Sequence, residues 1–183
     1  KKFFASIDHE VLMKILKFYI PDTDILWLLE QVINSFFSTR PQVGLPLGNL
    51  TSQLFVNIYM NAFDQFVKHK LKVKYYIRYA DDFVIFSRNK NWLEGLIHKI
   101  ENFLSEKMKL NLHPDKLFIK TLASGVDFLG WVHFTDHRVL RTNTKRRMMK
   151  SVAGNISSAV TNSYLGLLCH GNAYKLKKVL FNI

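Results

Sequence analysis

Apolar residues recur at helical spacing through most of the chain, and two β-prone stretches interrupt them, near residues 74–87 and 127–140. Residues 1–5 read as the end of a strand. Asp8 or Ser6 can cap a helix over residues 9–19. Pro21-Asp22 punctuates, and a second helix is expected over 23–37. A polar loop marked by glycine and proline follows, over 38–49. A long apolar helix is expected over 50–69, with Leu54, Ile58, Ala62, Phe63 and Phe66 in the core.

Residues 74–79 and 83–87 are β-prone runs either side of a short acidic turn, which predicts a hairpin. The next helix, over 92–108, places Leu93, Leu96, Ile97, Ile100, Phe103, Leu104 and Met108 on one side. Residues 111–116 form a loop. Residues 127–134 and 138–140 predict a second hairpin. From Thr142 the pattern is helical again, with breaks expected near Asn162 and Gly171.

Composition narrows the class. With 48% apolar residues the chain can bury a core, which excludes a wholly disordered protein. No uninterrupted apolar run approaches 18 residues and no signal-peptide pattern is visible, so no membrane partner is expected. The single cysteine, Cys169, can form no internal disulfide and fits a reducing, cytoplasmic setting. The net charge of +12 suits a polyanionic partner. Its distribution says more. From His137 to the end there is no acid, while Arg138, Arg141, Lys145, Arg146, Arg147, Lys150, Lys175, Lys177 and Lys178 are all basic. The shift near His137 marks the expected domain boundary.

Asp81 and Asp82 stand at the turn of the first hairpin. Asp is a common turn residue, so a merely polar turn is one reading. The other is chemical. Two like charges this close repel, and a divalent cation relieves that repulsion. Mg²⁺ prefers carboxylate oxygens together with substrate phosphates. Two such ions can serve an in-line displacement at phosphorus.

The string Arg78-Tyr79-Ala80-Asp81-Asp82-Phe83-Val84-Ile85 closely resembles the YxDD signature of reverse transcriptases. Four further blocks resemble that family in the required order. They are Phe3-Phe4-Ala5-Ser6-Ile7-Asp8-His9, the run from Gly44 to Gln53 (Gly44-Leu45-Pro46-Leu47-Gly48-Asn49-Leu50-Thr51-Ser52-Gln53), Leu112-His113-Pro114-Asp115-Lys116, and Phe128-Leu129-Gly130-Trp131. The resemblance implies an α+β fold: a ferredoxin-like polymerase palm, with an antiparallel sheet backed by helices, over 1–136. An α-helical, basic thumb would occupy 137–183. It implies RNA-templated DNA synthesis with two Mg²⁺ ions (or Mn²⁺), an RNA template, a DNA or RNA primer and dNTPs.

Residue by residue, the resemblance makes Asp81 and Asp82 metal ligands and catalytic residues. It makes Lys116 a catalytic partner of pyrophosphate and Phe4 the aromatic gate against a ribose 2′-hydroxyl. Leu47, Gly48, Gln53 and Tyr79 border substrate; glycine at 48 lets backbone approach a nucleotide closely. Arg78, Gly130, Trp131, Arg141, Lys145, Arg146, Arg147 and Lys150 contact nucleic acid. Asp8 matches a non-catalytic aspartate of the family block. The first metal-binding aspartate of the family would lie two residues before Lys1, and the fingers before that; on this reading the segment alone is inactive.

One departure bears on the subgroup. Most bacterial relatives read Q-G-x-x-x-S-P where this chain has Leu47-Gly48-Asn49-Leu50-Thr51-Ser52-Gln53. The aliphatic residue and the terminal Gln resemble the error-prone reverse transcriptases of diversity-generating retroelements, bacterial or phage-encoded, which work with an accessory protein. Group II intron maturases, retron enzymes, defence-associated reverse transcriptases and a non-catalytic RNA-binding fragment stay open as readings.

Overall fold

In the computed structural model, which describes residues 3–38, 40–153 and 157–181, the chain forms two compact units, Lys1–Ile119 and Lys120–Ile183. The first holds helices α1 (His9–Tyr19), α2 (Thr23–Asn34) and α3 (Leu50–Gln65), the hairpin β1 (Tyr75–Tyr79) and β2 (Asp82–Phe86), and helix α4 (Lys90–Met108). The second holds a meander of β3 (Val126–Phe128), β4 (Trp131–His133) and β5 (Arg138–Leu140), then helices α5 (Thr142–Ala153), α6 (Ser158–Leu168) and α7 (Tyr174–Phe181). The fold is thus α+β, as expected. Among the described residues its strands form two small antiparallel sheets rather than one.

Helix α1 begins where the sequence places it, because the Asp8 carboxylate accepts a hydrogen bond from the Val11 amide at 3.0 Å. The segment before it differs from the expected strand end. Residues 4–6 form a 3-10 turn, closed by the Ser6 amide and hydroxyl, which both donate to the Phe3 carbonyl. Residues 1 and 2 lie outside the described residues. Helix α2 ends at Asn34, short of the expected 37. The Ser35 hydroxyl donates to Val32 O at 2.7 Å, a local bond that competes with helix continuation.

Helix α3 buries Ser52, Phe55, Val56, Tyr59, Met60 and Phe63, one stripe at helical spacing. Leu54, expected in the core, points the other way and is 58% exposed. The helix is apolar on several sides, so periodicity alone does not fix which side faces inward. A π-helical turn, Phe66–Lys70, ends α3. The Lys68 ammonium donates to Val73 O and Lys74 O there, and the chain reverses into β1.

The hairpin packs one face on the helices. Directly opposed pairs share a face, so Tyr76 with Ile85 and Arg78 with Phe83 point inward. The Phe63 ring lies 5.0 Å from Phe83 and 6.2 Å from Tyr76, and Phe66 stacks on Phe103 of α4 at 4.0 Å. Helix α4 buries Leu96, Ile100, Leu104 and Met108, as its pattern predicts. Its last turn is held by the Tyr59 hydroxyl, which donates to Met108 O at 2.5 Å.

In the second unit the expected hairpin is a three-stranded meander. The compact division falls at 119/120 and not at His137, where the charge changes. The strands belong with the basic helices because the Asn172 amide donates to Arg138 O and Gly171 sits against the Trp131 ring. The break near Gly171 is present between α6 and α7. The break expected near Asn162 is not: α6 runs through it, since an exposed Asn costs a helix only a few tenths of a kcal/mol. No described helix is long and apolar enough to cross a membrane.

Candidate active site

The β1–β2 hairpin closes through a two-residue turn, Ala80-Asp81, with Tyr79 paired to Asp82. Ala80 has φ +51, a left-handed conformation that costs an L-residue about 1–2 kcal/mol. Such strain persists only where the surroundings impose it. The two-residue hairpin turn demands it, and the side chain of Arg78 braces the turn. Its Nη1 donates to the Ala80 carbonyl at 2.9 Å. Its Nε and Nη2 grip both carboxylate oxygens of Asp64 on α3, at 2.7 and 2.5 Å. The Tyr76 hydroxyl donates to the same carboxylate at 2.7 Å. Hydrogen bonding to Asp64 holds the Arg78 guanidinium above its already high ordinary pKa, and burial with the Asp64 contact pushes the Tyr76 phenol up.

The two acids at the tip are exposed. Asp82 shares the outward face with Tyr79, which is 65% exposed, and Asp81 occupies the turn. Among the described residues no cluster of three or more His, Cys, Asp or Glu side chains forms. The donor set at the tip is two hard carboxylates on a braced turn. That fits Mg²⁺, which takes one or two carboxylates and completes its shell with phosphate and water oxygens.

Three other expected site residues gather around one loop. The Leu45 amide donates to Phe4 O and the Gly44 amide to Ile7 O, each at 2.8 Å, and Asp8 bridges Val43. The buried His9 ring reaches Gly44 O at 2.7 Å through Nε2. This backbone ladder sets Phe4, half-buried, beside the loop that carries Leu47 and Gly48. Leu47 is exposed, and Gly48 has φ +93 with open space where a Cβ would stand. Gly48 is therefore fixed by backbone conformation and leaves room above it. Gln53, on the first turn of α3, is exposed too. Lys116 ends an exposed 3-10 turn, Pro114–Lys116.

Two of the expected nucleic-acid contacts are largely covered within their own units. Arg78 is only 11% exposed at its side chain, and its guanidinium is spent on Asp64 and the turn. Trp131 is 7% exposed, flanked by Gly171 and by the Arg138 guanidinium at 5.6 Å. Its aromatic face serves packing. Gly130, at φ +85, shares the β3–β4 turn with Leu129 at φ +53. Arg141 pairs with Asp127, leaving it less free than its charge suggests. On α5, Arg146, Arg147 and Lys150 line one open groove together with Asn143 and Ser151, opposite the buried Met148. Lys145 is exposed but outside that lining.

Asp64 and Tyr76 were missed by the sequence reading. The signal was an acid on the long apolar helix α3, which a nearby cation must answer.

Comparison with known proteins gives the family. The family model described as reverse transcriptase (RNA-dependent DNA polymerase) matches residues 1–133. The chain belongs to the reverse transcriptase family. The match covers the whole first unit and the β3–β4 hairpin of the second. Relatives include Protein YkfC of Escherichia coli K12, 26% identical over 189 residues, covering 82% of this chain and 48% of that protein. The group II intron-encoded protein LtrA of Lactococcus lactis is 23% identical over 232 residues, covering 90% of this chain and 37% of LtrA. The putative COX1/OXI3 intron 2 protein of Saccharomyces cerevisiae is 22% identical over 193 residues, covering 71% of the chain and 22% of that protein. This reverse transcriptase chain thus spans less than half the length of each.

Proposed function

We propose that this chain is the palm and the start of the thumb of an RNA-directed DNA polymerase, and that Asp81 and Asp82 hold the catalytic metal. The observation that carries this is the braced turn, which presents two exposed carboxylates side by side. Bound Mg²⁺ would supply charge neutralisation at the reacting phosphate. The chain's own residues do the rest. Asp81 and Asp82 fix the ligand oxygens. Phe4 limits the space beside a sugar, Leu47 and Gly48 leave an open floor for the nascent pair, Gln53 and Tyr79 border it, and Lys116 balances pyrophosphate charge. Template and primer run along Arg146, Arg147 and Lys150, with Lys145, Arg141 and Gly130 nearby.

Primer extension on an RNA template tests the assignment. In the full-length protein, Asp81→Asn should lower the rate by several orders of magnitude with its circular dichroism unchanged. Extension near the wild-type rate would remove the hairpin from the chemistry. Phe4→Ala should raise ribonucleotide over deoxynucleotide incorporation; unchanged discrimination returns Phe4 to a packing role.

Within the family, we assign the chain to the error-prone enzymes of diversity-generating retroelements. Leu47 and Gln53 support this. Both are exposed beside the substrate loop, and neither offers the rigid, hydrogen-bonding fit that a Gln and a Pro there would give. A second reading, an intron-encoded reverse transcriptase, is favoured by relatives named as intron proteins. Sequencing the cDNA made on a defined RNA separates the two. The retroelement reading expects errors concentrated opposite adenine and reduced by Leu47→Gln. A low, even error spectrum favours the intron reading.

A further inference from the structure

We propose that Asp64, acting through Arg78, is a positioning residue for the catalytic carboxylates. The pair links helix α3 to the turn carbonyl of Ala80 and holds that residue left-handed, which sets where Asp81 and Asp82 point. The inference rests on the active-site reading above.

Three observations carry it. First, Arg78 divides its fork. Two nitrogens hold both oxygens of Asp64, and the third donates to Ala80 O, the carbonyl immediately before Asp81. Only a planar guanidinium can span a carboxylate and a carbonyl in this fixed geometry; a lysine ammonium is a single point. Second, Ala80 sits at φ +51. The two-residue hairpin turn asks this of it, and the Arg78 bond to its carbonyl adds a second restraint on a strained residue. Third, the anchor is rigid. Asp64 lies on α3 beside Phe63, a residue with no exposed surface, and receives a further bond from the Tyr76 hydroxyl on the same hairpin face. The chain of contacts therefore runs from a core-packed helix to the acid tip without passing through any substrate group. Residues that hold metal ligands from behind typically affect metal affinity or activity ~10–100-fold when changed.

The test uses Arg78→Lys in the full-length protein. The variant keeps the charge beside Asp64 and loses the reach to Ala80 O. In the absence of substrate, amide exchange at residues 80–82 should speed up by ~10-fold or more, while α3 and α4 stay protected. Mn²⁺ binding, followed by electron paramagnetic resonance, should weaken ~10-fold. The extension rate at saturating dNTP should fall ~10–100-fold, with template–primer affinity unchanged. If Arg78→Lys does not fold, Tyr76→Phe takes its place. It removes one hydroxyl from Asp64 and should show the same exchange change at smaller amplitude. Wild-type exchange at the hairpin and wild-type Mn²⁺ affinity in a folded variant overturn the proposal. So does a loss of template–primer affinity with a flatter salt dependence, which would make Arg78 a nucleic-acid contact. The exchange readout needs no catalysis. It stands or falls separately from the Asp81→Asn experiment, whose failure would sink the active-site reading instead.

Discussion

Two hairpins in this protein are built alike and present opposite chemistry. Each closes through two residues, and each forces a non-glycine residue left-handed: Ala80 in the first, Leu129 in the second. Each is steadied by an Arg–Asp pair, and in each an arginine N–H binds a turn carbonyl. In the first it is the Arg78 side chain on Ala80 O, and in the second the Arg141 amide on Gly130 O. The difference lies in burial and in the tip. Arg78 and Asp64 have side-chain exposures of 11% and 28%, against 43% and 37% for Arg141 and Asp127. The first tip carries two acids, and the second carries Leu129 and Gly130. The same scaffold thus becomes a fixed carboxylate mount where a helix anchors its arginine. Where the arginine stays near solvent it is a packing corner.

Removing the acid of each pair should separate the two hairpins most strongly. Asp64→Ala strands a largely buried guanidinium and should destabilise the first unit by about 3 kcal/mol. Asp127→Ala should cost less than about 1 kcal/mol, because water screens that pair. Hydrogen exchange read separately in each unit measures both, and equal costs would break the contrast. Gly171→Ala comes next. An added Cβ would lie 2.2 Å from the Trp131 ring, and a rigid indole cannot yield without repacking. The second unit should lose about 1–3 kcal/mol while the first is untouched. A variant with wild-type thermal stability would mean the ring moves freely.

The basic groove sharpens the comparison from the binding side. Arg146→Glu with Arg147→Glu should flatten the log–log salt dependence of template–primer affinity, by roughly 0.7–0.9 for each phosphate no longer neutralised. An unchanged slope would take α5 off the binding surface. The smallest effect is at the turns. Ala80→Gly relieves the left-handed strain and should stabilise the first hairpin by about 1 kcal/mol, seen as a higher urea midpoint. Leu129→Gly should gain less, since the Leu129 side chain, 46% exposed, still covers some apolar surface that glycine would leave bare.

Much of this was legible in the chain. The bounds of α1, the acid turn between two apolar strands and the inward side of α4 follow from short-range rules, namely a capping carboxylate, turn chemistry and period 3.6. The basic, acid-free end was visible as composition, and the five ordered blocks carried the family. What the sequence could not decide were matters of which partner wins. Leu54 looked like core because α3 is apolar on more than one side, and only its neighbours determine that Phe55, Val56 and Tyr59 face inward. Arg78 and Trp131 were expected at nucleic acid because they stand in blocks that resemble the family's. Asp64, fourteen residues before Arg78, and Gly171, forty after Trp131, claim them instead. Local rules act over three or four residues; a buried charge or a ring finds its partner across the fold, where desolvation makes that choice binding.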